Sequence, residues 1–449
     1  VIVHSQSHLL LSAAAVVAGL IVLVARWRVP AFIALLLASV AVGACGGLNA
    51  KDITKAFEEG VGAILGSIAL IVGLGTVLGK LLAESGGAQL IAQRLLNVAG
   101  LRSLPWMMAL LGFVMGPVFF SLGLVLLAPV LFAVREKTRV PFLYLAVPLL
   151  AGLSAAHCLV PPHPGPMAAI ELLKADVGKT LAYSLMVGAG AVAISGPILC
   201  RLCPGWKSVE PAGALGAQFS SPHQPKAPPR FWAALLAVLL PVLLIMLAAA
   251  ADLLLGTDRP ARKIADALGT PLGALLVSVL ISFRTLGAAC GYDQKTLLKF
   301  TEECMAPVAT MLLVIGAGAG FGRVMVASGV GDAISELARR APVSPLIYGW
   351  LIAAVIRIAT GSATVAIITA AGIVAPAAAA APGLNRELLV IAMGAGSVIL
   401  SHVNDGGFWL VKEYLGLSIN DTFRSWTVAE TVLSVSALAL ALALNFFAR

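Results

Sequence analysis

Three stretches set polar or ionisable side chains among residues that break helices. Ser401-His-Val-Asn404-Asp405-Gly-Gly407 follows an apolar run over 388–400. Asn404, Asp405 and two glycines cannot continue a helix with an apolar exterior. They suit an unwound stretch whose backbone and side chains face a cavity. Ser401 and Asn404 offer donors and acceptors together, which fits a hydroxylated ligand. A polar turn at a helix end is the alternative, and Lys412 and Glu413 beyond it fit that reading. The second stretch, His157-Cys-Leu-Val-Pro-Pro-His163-Pro-Gly-Pro166, holds four prolines in six residues. A continuous α-helix is excluded there, yet no charged loop separates it from Leu149–Ala156. Irregular backbone is therefore expected over 157–166, joined directly to an apolar helix. His157 and His163 are candidates for binding a ligand or carrying a proton, because imidazole titrates near neutrality. A pair of histidines that merely ties down the turn fits equally well. A metal centre is not expected, since no carboxylate or cysteine set surrounds the pair.

The third stretch, Arg357-Ile-Ala-Thr-Gly361-Ser362-Ala-Thr364, lies inside the longest apolar run, 345–381. An arginine there needs a partner or a wet surface, and its planar fork suits a carboxylate. Gly361, Ser362 and Thr364 suit a re-entrant hairpin tip, or a helix N-terminus whose amides face an anion. Close helix packing through small residues and an arginine reaching for the interface are the plainer alternatives. At an offset of 243 residues the first half of the chain offers Met115-Gly116-Pro117-Val-Phe-Phe120-Ser121-Leu-Gly123, where Ser121 falls on Thr364. Gly116, Pro117 and Gly123 would loosen a paired tip.

These residues must be carried by membrane helices. Of 449 residues, 60% are hydrophobic and 11% are charged, and the mean hydropathy is +0.99. Ordinary soluble domains carry about 25% charged residues. A soluble enzyme, a disordered scaffold and a disulfide module are excluded. A spanning helix needs about 20 residues, so roughly ten to twelve spans are expected. The net charge of +9 sits in short clusters such as Arg26/Arg28, Arg135/Lys137/Arg139 and Lys226/Arg230. This is how cytoplasmic loops hold positive charge, and no nucleic-acid partner is expected. Arg26 and Arg28 place the first loop in the cytoplasm; Leu9–Ala25 reads as a first span and not as a cleaved signal. The six cysteines lie in or beside apolar runs and read as free thiols, with Cys200 and Cys203 lacking a second pair at zinc spacing. Gly316 to Gly322 carries alternate glycines without the strand and acidic residue of a dinucleotide site; tight helix packing is expected. No phosphate loop is present, so ATP drive and a cofactor are not expected.

The halves of the chain repeat. Gly75 to Gly86 matches Gly318 to Gly329, and Glu59 falls on Glu302, at the same offset of 243; Lys179-Thr-Leu falls on Asp421-Thr-Phe at 242. The organisation expected is a helix pair over 1–56, repeat 1 over 57–200, a Pro-rich linker over 201–230, connecting helices over 231–299 and repeat 2 over 300–449. Repeats in membrane proteins mark secondary transporters, with the site at the repeat interface. An all-α fold with two inverted repeats follows, each with a broken helix and a re-entrant hairpin.

The chain resembles the gluconate permease family of the ion transporter superfamily. The resemblance rests on the motifs at 157–166, 357–366 and 394–405, on Gly-Phe-Trp-Leu-x-Lys at 407–412 and on Thr-Phe-Arg-Ser-Trp-Thr-Val-x-Glu-Thr at 422–431. It implies a proton-coupled importer of gluconate or related sugar acids in a bacterial inner membrane. It also implies a homodimer with a scaffold and a mobile transport domain working as an elevator. Some members carry D-serine. One departure matters: the residue after the paired Phe is usually acidic in the family, and here it is Ser121. A buried carboxylate is the natural proton carrier. Glu84, His157, His163 and Asp405 are the substitutes the sequence offers, and an uncoupled facilitator is the alternative.

The expected ligand set is Ser121, His157, His163, Arg357, Gly361, Ser362, Thr364, Ser401, Asn404 and Asp405. Arg357, or amides near Gly361–Thr364, would hold a carboxylate; Ser401, Asn404 and the 157–166 stretch would meet hydroxyls. A membrane enzyme would need a metal or nucleophile set that the sequence does not show. A channel would give flux that does not saturate, and a receptor would bind without moving its ligand.

Overall fold

The computed structural model describes residues 6–25, 27, 29–116, 120–161, 163–211, 227–254, 259–330, 344–379 and 384–447. Arg26, Arg28, Pro117, Phe119, Pro162, residues 212–226 of the Pro-rich linker and Arg339/Arg340 lie outside them. The described residues are helical, without strands: α1 Gln6–Ala25, α2 Ala31–Cys45, α3 Ala50–Glu84, α4 Gly87–Met115, α5 Phe120–Thr138, α6 Phe142–Leu159, α7 Pro164–Leu173, α8 Val177–Leu202, α9 Phe231–Leu254, α10 Pro260–Gly269, α11 Pro271–Ser282, α12 Gln294–Ala327, α13 Pro345–Thr360, α14 Ala363–Ala379, α15 Arg386–Gly396, α16 Gly406–Tyr414 and α17 Ile419–Phe447.

Among the described residues, seven helices are long and apolar enough to cross a bilayer, or eight if α4 is counted across its 116° bend at Gly100. Shorter apolar helices accompany them, among them α2, α13 and α14. Several apolar runs are cut by breaks into shorter helices, including α13 and α14, so apolar length is not span count. The outward faces are apolar, with Leu243 and Leu247 of α9 and Leu110 and Val114 of α4 exposed. That is what helices bathed in hydrocarbon require.

Capping fixes where the helices start, and the same roles recur in both halves. Asn49 accepts from Asp52 N at the start of α3, and Asp293 accepts from Thr296 N at the start of α12, each at 2.9 Å. Asp176 caps α8 and Ser418 caps α17. His163 caps α7 through Gly165 N, and Asp405 caps α16 through Gly407 N. These pairs lie 242–244 residues apart. The residue types differ, but each supplies an acceptor to an orphan amide of a first turn. α5 and α14 begin at the same offset, with Ser121 and Thr364 each second in its helix. α3 starts before residue 57 and α12 before residue 300.

α3 and α12 form the spine. Arg323 of α12 pairs with Glu59 of α3 at 3.2 Å, and Lys80 of α3 reaches Glu303 of α12 at 3.8 Å. The end of each helix thus meets the start of the other, so the two run antiparallel. Small residues let them approach: a Cβ on Gly60 would come within 2.5 Å of Ala319 O, and one on Gly320 within 2.6 Å of the Phe57 ring. The glycines between 316 and 322 serve packing, as the sequence suggests. One core cluster surrounds this spine with α2, α5 and much of α6. A second joins the end of α6 with α7, α13, α14, α15 and α17.

Candidate functional site

Two hairpins and two broken helices face the spine. α13 ends at Thr360 and α14 starts at Ala363, with Gly361 at φ +71° between them. This left-handed turn suits glycine, and a Cβ at Gly361 would fall 2.1 Å from Asn404 O. Gly322 of α12 lies under the same tip, where a Cβ would fall 2.3 Å from Thr360 O. In the first half, α4 ends at Met115 and α5 starts at Phe120. The broken segments are 160–163, between α6 and α7, and 397–405, between α15 and α16.

Irregular backbone over the whole of 157–166 is therefore corrected. His157 sits in the last turn of α6, and Pro164 and Pro166 sit in the first turn of α7. Proline is tolerated there because first-turn amides have no partner within the helix.

Residues of both hairpins and both breaks line one cavity of about 730 Å³. Ser121, His157, His163, Arg357, Gly361, Ser362, Thr364, Asn404 and Asp405 all line it. α3 and α12 close the facing wall with residues such as Ile64, Ile71 and Gly322. Four helices, α5, α7, α14 and α16, begin at this cavity. Their first-turn amides and positive dipole ends make it favourable for an anion.

Arg357 is buried, and its guanidinium donates to Asp405 Oδ2 and to Gly361 O. The arginine ties the hairpin tip to the 397–405 break. Ser401 Oγ also donates to Asp405 Oδ2, and Gly407 N donates to Asp405 Oδ1 at 2.8 Å. Trp426 Nε1 donates to Ser401 Oγ at 2.7 Å, and Thr427 Oγ1 donates to Ser401 O at 2.5 Å. Ser401 is thus a support beneath Asp405 and is not among the lining residues. Asn404 turns its amide donors on Ile358 O, at 2.8 Å, and Ala359 O, at 3.2 Å. They satisfy carbonyls at the broken end of α13, which leaves Asn404 Oδ1 buried and without a partner.

The rings of His157 and His163 pack against each other, tilted by 53°, with centroids 3.8 Å apart. His163 Nδ1 accepts from Gly165 N at 3.4 Å, which is the structural role the sequence allowed; His157 Nδ1 is buried without a partner. Glu84 is not brought to this cavity. It pairs with Lys80 at 2.6 Å at the end of α3, and its backbone carbonyl accepts from Tyr292.

With this geometry in view, the comparisons with known proteins decide the family. The profile of the GntP family permease matches residues 8–447. The chain belongs to the GntP permease family. A gluconate permease of Pseudomonas aeruginosa is 46% identical, with 98% of each chain covered. The high-affinity gluconate transporter of Escherichia coli K12 is 41% identical over 95% of this chain and 97% of that one. The D-serine transporter DsdX of the same organism is 34% identical over 99% of both chains. Membership of a GntP permease family, with its several apolar helices, makes this chain a multi-pass membrane protein of a transporter family.

Sequence reasoning passed over one acidic lining residue of this GntP permease. Glu430 of α17 is 1% exposed; its Oε2 accepts from Ser154 Oγ at 2.8 Å, and its Oε1 has no partner. The available signal was an acidic residue near the start of the apolar run 427–447. Trp426, one turn earlier, packs on Phe120 with centroids 5.3 Å apart and joins α17 to the first hairpin.

Proposed function

We propose that this protein is a secondary transporter that imports gluconate or a related sugar acid across a bacterial inner membrane by proton symport. The carrying observation is the convergence of four helix N-termini on one cavity. A carboxylate would rest on the first-turn amides of α14, near Gly361–Thr364, because Arg357 is already held by Asp405. Asn404 Oδ1 and the hydroxyls of Ser121, Ser362 and Thr364 would meet the polyol chain. An acceptor buried without a partner gains most from a ligand that brings a donor. The gluconate permeases at 46% and 41% identity support the sugar acid over D-serine, whose transporter is the more distant relative.

The matched caps and the reciprocal α3–α12 ion pairs support an inverted repeat, over about 57–200 and 300–449. A pseudo-two-fold axis that exchanges antiparallel α3 and α12 turns each half over in the membrane. Alternating access would then come from movement of the hairpins and broken helices, as an elevator, against the spine of a homodimeric scaffold. Uptake of radiolabelled D-gluconate into proteoliposomes tests the reading. Saturable uptake that falls when an uncoupler collapses an imposed proton gradient is expected. Uptake that saturates with D-serine and not with D-gluconate would favour the second substrate.

A further inference from the structure

We infer that Glu430 is the proton-binding residue of the transport cycle. This rests on the symport reading. The described residues lining the cavity include two acids, Asp405 and Glu430. Asp405 is committed on both oxygens, to Gly407 N on one side and to Arg357 and Ser401 on the other. A proton there would have to break the ion pair that holds the hairpin tip. Glu430 has no cation within salt-bridge distance among the described residues, and its Oε1 stands without a partner inside the cavity wall. An oxygen left bare in that setting carries a cost that a bound proton removes. A proton entering from the aqueous side would sit on Oε1, while Ser154 goes on donating to Oε2.

Position adds to this. Trp426, a turn before Glu430, packs on Phe120, the neighbour of Ser121. Glu430 and Ser121 line the same cavity, one from α17 and the other from the first hairpin. The groups that face Glu430 are Ser154, His157 and Cys158 of α6, Arg357 of α13 and Asp405 of the second break. A proton gained at Glu430 changes the charge beside the Arg357–Asp405 pair, which links occupancy by a proton to the hairpin tip.

The test is D-gluconate transport by E430Q in proteoliposomes, read in two modes. Exchange of labelled for unlabelled substrate needs no net proton movement. Accumulation driven by an imposed pH gradient does. The expected result is exchange within about twofold of wild type, with accumulation and its pH dependence lost. Accumulation equal to wild type overturns the proposal, and so does loss of both modes in a protein that elutes as wild type. Should E430Q fail to fold, S154A reads the same group: it displaces the pH midpoint of accumulation, and an unchanged midpoint overturns the proposal. A substrate-free infrared pH titration separates this from an error in the substrate. Wild type shows a protonated-carboxyl band that E430D shifts, whatever the permease carries; identical bands in the two proteins overturn the assignment.

Discussion

Arg357 and Asp405 are the two charges whose pairing the cavity depends on. Both are buried, and each oxygen of the carboxylate is in use. Removing one member of such a pair strands the other, which costs about 3–5 kcal/mol. Asp405→Asn is therefore expected to lower unfolding stability in detergent by on the order of 3–5 kcal/mol. Arg357→Lys should not restore what Arg357→Ala loses, because one ammonium cannot serve Gly361 O and Asp405 together in the planar fork geometry. Thermal melting of the three variants checks both statements; a wild-type melting point in all three would mean that the pair does not hold the tip. The sequence marks these residues as costly, but it does not show that they are each other's partners. The contact spans 48 positions, and only folding sets the end of α13 against the break before α16. Glu430 was hidden for another reason. It stands in a helix apolar enough to be read as a plain span, and its significance lies in Ser154, on a different helix.

Helix ends were more legible than helix partners. Prolines, glycines and capping side chains mark breaks locally, so the interruptions near 116, 161, 361 and 404 could all be read from residue types. What the types do not reveal is how short a break can be. Pro164 and Pro166 exclude a continuous helix but are well placed to begin one, so α7 starts earlier than a count of prolines suggests. The tip at Gly361 gives the sharpest expectation on this scale. Gly361→Ala forces a side chain into a left-handed turn and against Asn404 O. The strain is on the order of 1–3 kcal/mol, and D-gluconate exchange should fall at least about tenfold, as 1.4 kcal/mol corresponds to a factor of ten. Gly372→Ala in the same hairpin, where no atom lies within 4 Å of the new Cβ, should exchange like wild type. Equal rates in the two variants would remove the tip from the mechanism.

The molecule as a whole divides into a spine and the elements that face it. If α3 and α12 are the static wall, tethering them to each other leaves transport intact. Cysteines at 57 and 320, where the Phe57 ring meets Gly320, should cross-link in a background without the native thiols while exchange continues. A tether between cysteines at 64 and 364, which line the cavity from α3 and from the hairpin, should stop exchange. Arrest by both tethers, or by neither, would contradict an elevator that moves against this spine. The account stands or falls on whether the cavity between the two breaks holds the substrate. Equilibrium binding of radiolabelled D-gluconate to the purified protein tests this most directly when wild type and Asn404→Ala are compared. The account predicts saturable binding to wild type and a dissociation constant at least about tenfold higher in the variant, a loss of about 1.4 kcal/mol. Equal affinity in the two proteins, with both folded, would place the substrate elsewhere.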